Sequence, residues 1–339
     1  MIWLLVDSST IGGIERHIAT LAQSFGKRNI EAQIVLFGDH GANPWLEQLQ
    51  AAGLDYRILG NNFASLLAAL RADRPDLLHT HGYKAGIYGR LAARLSGICV
   101  VSTFHSGESL PFPVNLYFRL DEWTSFLGQR VSVSTEIAQK IPFASSHIPN
   151  YVLPPNDPPT GALPRRIGFV GRLSHEKAPD LFCALASAAP SGLEWHIYGD
   201  GPMREELEQR YGQAITFHGV VTDLSTAWRK MGLLLMPSRH EGLPLAALEA
   251  LGYGIPVLAS RVGGLPDVAK HGQTGWTFER EDMQGALSGL QNWLALDETA
   301  QTSMREQCKS HLQSAFSEEK RLSQLFEVYK RAGFQALLK

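Results

Sequence analysis

Two rhythms of apolar and polar positions alternate along the whole chain. Continuous apolar runs of strand length lie at 2–6, 32–37, 56–59, 77–79 and 100–103, and apolar residues recur at helical spacing in 14–25, 44–52, 63–74 and 85–96. This βαβα order predicts a parallel sheet covered by helices on both faces, because parallel strands need a crossover between them. The rhythm breaks at 153–164, where five prolines and a glycine exclude both helix and sheet interior. It then restarts, with strands at 166–170, 194–198, 215–218, 232–236 and 256–260 and helices at 179–189, 203–211, 224–230 and from near Pro244. A long helical pattern at 317–338 closes the chain. The expected fold class is therefore α/β, with two doubly wound, Rossmann-like parallel-sheet domains, 1–155 and 165–316, facing each other across a cleft and joined by the proline-rich linker.

Composition narrows the function classes. A length of 339 residues suits two domains, and 44% hydrophobic with 19% charged residues is enough to build cores. A net charge of −2 gives nucleic acid no electrostatic footprint. Cys99, Cys183 and Cys308 lie far apart in no metal-ligand spacing, and read as reduced thiols of a cytoplasmic protein. The apolar start ends at Asp7, without the basic residues or cleavage site of a signal peptide. No run approaches the roughly 20 apolar residues of a membrane span, which leaves only peripheral contact with a membrane face open.

The candidate chemistry lies in loops that follow predicted strands, where such sheets bind ligands. The segment Pro237-Ser-Arg-His-Glu-Gly-Leu-Pro-Leu-Ala-Ala-Leu-Glu249 joins an apolar strand to an Ala/Leu-rich helix, with Pro244 suited to its first turn. Seven residues separate Glu241, at the helix mouth, from Glu249 inside it. A helix start attracts phosphate, and flanking carboxylates accept bonds from sugar hydroxyls; a plain strand–helix unit with two solvated glutamates fits equally well. Arg172 and Lys177 follow the strand that ends at Gly171; together they can grip a diphosphate, or stand exposed beside Glu176. Gly12-Gly13 opens the first helix, without the Gly-x-Gly-x-x-Gly of dinucleotide binding. Gly199-Asp-Gly-Pro202, Phe217-His-Gly-Val220, 262–267 and 272–275 read as further glycine turns, the first two lining a nucleotide through backbone groups. His79 and His81 share a strand face, as two metal ligands would, yet have no sequence-placed partner and read as structural. His105 follows the next strand. No Asp-x-Asp is present to hold a metal against a sugar diphosphate.

In their order, Phe169-Val-Gly-Arg-Leu-Ser-His-Glu-Lys177, Gly199-Asp-Gly-Pro202, Phe217-His-Gly219, Glu241-x7-Glu249, Gly254-Ile-Pro-Val257 and Gly263-Gly264 resemble the retaining GT-B glycosyltransferases of the group called glycosyl transferases group 1, or family four. The resemblance covers nearly the whole chain. It implies a hexosyltransferase-type enzyme that moves a sugar from a nucleotide-diphosphate donor, with UDP favoured, to a hydroxyl of a glycan or lipid-linked acceptor, with retention and without metal. Arg172 and Lys177 then match the cations on the donor diphosphate, Glu241 the glutamate near the transferred sugar, and Glu249 the one on the ribose. His105 matches the histidine beside the donor sugar, and Gly13, with Gly12, the glycines near the donor phosphates. Gly171, Gly199, Val220, Gly242, Leu243 and Pro244 complete the donor contacts through their backbones. The final helix, 317–339, would complete the N-terminal domain, the acceptor side. Two positions depart from the pattern: Ala178 stands where glycine is common after the lysine, and Asp267 where glutamate often follows the double glycine. A nucleotide-sugar 2-epimerase or a catalytically silent scaffold with the same fold are the competing readings. The aromatic stretch 110–127 is expected to be an amphipathic core helix on the acceptor side, with packing on an acceptor as the alternative.

Overall fold

The computed structural model describes residues 1–105 and 114–334, and these form two compact units. Unit 1 is Met1–Tyr151 with Glu318–Lys339, and unit 2 is Val152–Ser317.

Unit 1 is built on strands β1 (Ile2–Val6), β2 (Ala32–Leu36), β3 (Tyr56–Ile58), β4 (Leu77–His81), β5 (Cys99–Phe104), β6 (Gln129–Ser132) and β7 (Ser146–His147). All pairings are parallel, in the order β3-β2-β1-β4-β5-β6-β7. The continuous apolar run of β1 splits by the twofold strand period. Ile2, Leu4 and Val6 enter one core with helices Gly13–Gly26 and Glu318–Arg331, whereas Trp3 and Leu5 enter the other with helices Phe63–Asp73 and Tyr83–Ser96. Helix Glu318–Arg331 belongs to unit 1 through Leu322, Leu325, Val328 and Tyr329.

Unit 2 repeats the plan with β8 (Arg166–Val170), β9 (Glu194–Tyr198), β10 (Ile215–Phe217), β11 (Leu233–Met236), β12 (Val257–Ser260) and β13 (Gly275–Phe278), in the order β10-β9-β8-β11-β12-β13. Strand order reverses between β1 and β4 in one unit and between β8 and β11 in the other. Each unit thus has a topological switch point at the carboxyl ends of its central strands.

Four expectations change. β4 continues two residues further than the predicted 77–79, through Thr80 and His81. The glycine turn expected at 272–275 leads straight into β13: Gly275 begins the strand so close to β12 that a Cβ there would lie 1.9 Å from the Val257 carbonyl oxygen. The segment 153–164 is no free linker. Leu163 is buried in the core of unit 2, and the carbonyls of Gly161 and Ala162 accept hydrogen bonds from the buried Arg305 at 2.8 and 3.1 Å. The aromatic segment is not a core helix. Helix Val114–Thr124 leaves Leu116, Tyr117, Leu120 and Trp123 exposed, with exposed Phe126 following, and is anchored through Asp121, whose carboxylate accepts from the fully buried Arg90 at 2.6 Å. Residues 110–113, and Ser106 and Gly107 after His105, lie outside the described residues.

Candidate active site

The loops at the switch point of unit 2 bring together residues far apart in sequence. After β8 the chain turns through Gly171 and Arg172 into a single 3-10 turn, His175–Lys177. After β11 it runs through Pro237–Pro244 into helix Leu245–Gly252. The two loops meet where Lys177 Nζ donates to Glu241 Oε2 at 2.6 Å. Glu241 keeps only 3% of its side chain exposed, against 25% for Lys177. Ser238 Oγ donates to the other Glu241 oxygen at 2.9 Å. The carboxylate is thereby fixed in place, while the ammonium keeps one side toward solvent, where an anion can reach it.

A second ion pair locks the same loops from below. Arg239 makes a two-pronged contact with Asp180 at 2.9 and 2.6 Å, bonds Glu281 at 2.9 Å and reaches the His175 carbonyl at 2.9 Å. The amides of Arg239 and His240 both donate to the Glu176 carbonyl, at 2.8 and 3.2 Å. The bonds to Asp180, ahead of the opposing effect of burial, raise the Arg239 pKa further above its already high ordinary value. Burial alone would raise the Asp180 carboxyl, but Arg239 overrides it and holds it below the ordinary aspartate range. Glu176 is likewise held low: burial works against ionisation, and the Ser174 hydroxyl bonded to it, a backbone amide and the Lys177 and Arg172 charges together outweigh that.

Backbone proximity explains most glycines here. A Cβ on Gly199 would lie 1.9 Å from the Gly171 carbonyl oxygen, and its amide bonds Gly219 at 2.8 Å. Gly263, at φ +53°, sits against the Glu241 carbonyl, 2.1 Å from where its Cβ would be, and the Gly264 amide donates to Gly242 at 2.6 Å. The double glycine therefore buttresses the Glu241–Gly242 backbone. Ala178, standing where the family pattern often has glycine, adopts φ +52°, a left-handed conformation that strains a residue with a Cβ.

Of the expected site residues, Lys177, Glu241, Gly242, Leu243 and Pro244 come together at this switch point, with Gly171 at the root of the facing loop. Arg172 is exposed in that loop, and its side chain has no hydrogen bond among the described residues. Glu249 sits deeper, on helix Leu245–Gly252, where Trp228 Nε1 donates to its Oε2 at 3.2 Å. Val220 is 61% exposed beyond β10. Arg239, Ser238 and Asp180 were not singled out by sequence reasoning, although Arg239 stands inside the quoted motif.

In unit 1, Gly12 precedes helix Gly13–Gly26, and Gly13 has nothing within 4 Å of a Cβ position. His105 does not stand alone. Its Nε2 lies 3.0 Å from Nδ1 of buried His81, with the ring of His17 centred 4.8 Å away. His79, beside His81, bonds the Tyr329 hydroxyl and Thr103 Oγ1, both at 2.7 Å. Burial depresses the pKa of all four, that of His17 to about 4 and that of His79 to about 3, so these imidazoles are neutral at pH 7.

The chain is similar to known proteins over both units. Residues 164–295 match the family described as glycosyl transferases group 1, and residues 11–141 match glycosyltransferase family 4. It is 26% identical over 306 residues, 78% of each chain, to the UDP-Gal:alpha-D-GlcNAc-diphosphoundecaprenol alpha-1,3-galactosyltransferase of Escherichia coli. It is 29% identical over 333 residues, 77% of each chain, to the 2-deoxystreptamine N-acetyl-D-glucosaminyltransferase of Streptomyces fradiae. Among solved structures, Anabaena HepE in complex with UDP and glucose superposes with a TM-score of 0.83, covering 97% of this chain and 99% of that one at 19% identity.

Proposed function

From a chain that belongs to the group 1, family 4 glycosyltransferases of GT-B fold, enzymes that draw on nucleotide-sugar donors, we propose a retaining, metal-independent transferase that takes its sugar from a UDP-sugar. The observation that carries this reading is the Lys177–Glu241 pair across the unit 2 switch point, with Arg172 exposed in the same loop as Lys177. Departure of the sugar leaves positive charge on the anomeric carbon and negative charge on the β-phosphate. Lys177 and Arg172 stabilise the negative side, which removes the need for a metal. Glu241, fixed by Ser238 and Lys177, accepts from sugar hydroxyls, and Glu249 does the same for the ribose. Retention follows if the departing phosphate oxygen takes the acceptor proton on the same face, since no side chain is placed as a covalent nucleophile in this reading. His105, neutral at pH 7, serves the donor sugar as a hydrogen-bonding group rather than as a charge.

UDP is supported by the E. coli relative, which is named for UDP-Gal. The same name, with its diphosphoundecaprenol, supports a lipid-linked acceptor taken at a membrane surface. The exposed Leu116, Tyr117, Leu120 and Trp123 of unit 1 suit such contact, and no described helix is long and apolar enough to cross a membrane. The test is hydrolysis of UDP-glucose and UDP-galactose in EDTA without acceptor, with the anomeric form of the released sugar followed by proton NMR. Release of the α-sugar, abolished by Lys177→Ala, is expected. Release of the β-sugar would overturn retention, and activity only after metal addition would overturn metal independence.

A further inference from the structure

The histidines of unit 1 are assembled more tightly than a hydrogen-bonding role requires. His81 is the last residue of β4, His105 directly follows β5, and His17 comes from helix Gly13–Gly26. One nitrogen of each lies within 4.8 Å of the others, and the closest contact, His81 Nδ1 to His105 Nε2, is 3.0 Å. Two imidazole nitrogens on one tetrahedral zinc ion, each at about 2.0–2.1 Å, stand roughly 3.3 Å apart, within the span seen here. Two nitrogens of the cluster, His17 Nδ1 and His81 Nε2, are buried with no hydrogen-bond partner among the described residues. Leaving such groups unpaired is costly, and a Lewis acid would satisfy lone pairs that no protein donor reaches.

We propose that His17, His81 and His105 form a three-imidazole site for a divalent transition-metal ion of the zinc type, with a fourth coordination position open. His79 and His81 alternate onto the same face of β4, yet only His81 is available, because both ring nitrogens of His79 are engaged by Tyr329 and Thr103. The ring of His79, centred 4.2 Å from that of His81, forms a fixed wall behind the site. His105 is only partly buried, which gives the ion a way in. An all-nitrogen set selects zinc, cobalt, nickel or copper over magnesium or calcium. The site goes beyond the transfer reaction proposed above and is tested by binding rather than turnover.

The experiment is a titration of the chelator-stripped full-length chain with Co²⁺, read by visible d–d absorption, followed by displacement with Zn²⁺ and elemental analysis after dialysis. One ion per chain is expected. His17→Asn and His105→Asn should each weaken binding about tenfold or more, at least the loss that follows removal of groups outside the coordination shell. His218→Asn is the control. It breaks a hydrogen-bonded histidine pair of unit 2, His196 Nδ1 to His218 Nε2 at 2.9 Å, and should leave the high-affinity site intact. Circular dichroism checks the fold of each variant; if His17→Asn does not fold, His105→Asn decides. Absence of saturable binding at one equivalent, binding unchanged in both folded ligand variants, or loss of binding in His218→Asn would overturn the proposal.

Discussion

The two units share one strand order and put opposite chemistry at equivalent places. β1, β4 and β5 of unit 1 correspond in that order to β8, β11 and β12 of unit 2. After β8 and β11 the chain offers Lys177, Glu241, Arg239 and Asp180, charges paired with each other and partly open to solvent. At the ends of β4 and β5 it offers His81 and His105, uncharged and largely buried against His17. The backbone thus supplies the same kind of crevice twice, and the side chains decide whether it handles charge. In unit 2 carboxylate partners hold Lys177 and Arg239 in place, which suits the proposed diphosphate ligand. In unit 1 no carboxylate belongs to the cluster among the described residues, and a metal ion there would be held by bonds to neutral rings.

The contrast is broken most strongly at Lys177. Lys177→Ala should lower the rate of sugar transfer or donor hydrolysis by about a hundredfold or more, the usual effect of removing one group that stabilises developing negative charge. Steady-state kinetics should place that loss in kcat as well as KM; a change in KM alone would confine Lys177 to ground-state binding. Acid should separate the units next. The folded pKa values of His17 and His79, about 4 and 3, lie below the unfolded value of about 6.5. As pH falls below 6.5 the unfolded chain takes up protons first, so unit 1 loses stability progressively until the folded pKa values are reached. Asp180 in unit 2 is held low, and its contribution is present above the unfolded aspartate pKa and lost only as pH falls through the depressed folded value. Hydrogen exchange of the metal-free chain at pH 5 should therefore show β4 and β5 opening before β8 and β11.

Two substitutions sharpen the comparison at smaller scale. Gly13→Ala meets nothing in the fold and should leave the melting temperature unchanged or slightly raised, while lowering activity about tenfold if donor phosphates approach that backbone. Unchanged activity would remove Gly13 from the site. Ala178→Gly relieves a left-handed conformation but deletes a buried methyl and loosens the unfolded chain. These terms oppose each other, and the expected net change in unfolding free energy is less than about 1 kcal/mol by denaturant titration.

The parallel sheets were legible because buried parallel strands read as continuous apolar runs. β6, Gln-Arg-Val-Ser, was missed because its first two residues are polar and only half-buried, and the edge strand β7 because two residues are too short to show a pattern. The proline-rich segment misled for a physical reason: proline forbids regular structure but not packing, and Arg305 ties the neighbouring carbonyls to unit 2. At the site, Lys177 and Glu241 stand out by motif, and their contact across 64 residues of sequence emerges only from the fold. Arg239 was overlooked because its partners, Asp180 in the first turn of helix Pro179–Ala188 and Glu281 in the loop after β13, have no spacing rule to connect them. His17 carried no signal at all; a histidine at a buried helix position becomes part of a cluster only once β4 and β5 are placed beside it.

The central claim is that unit 2 holds a nucleoside diphosphate through Lys177 and Arg172. Calorimetric titration of UDP, GDP and ADP into the wild type and the Arg172→Ala/Lys177→Ala double variant, in EDTA, tests it most directly. The account predicts that UDP binds at one site per chain, more tightly than GDP or ADP, and that the double variant, folded by circular dichroism, loses most of that affinity. No binding of any of the three nucleotides to the folded wild type, or equal binding to the double variant, would contradict it.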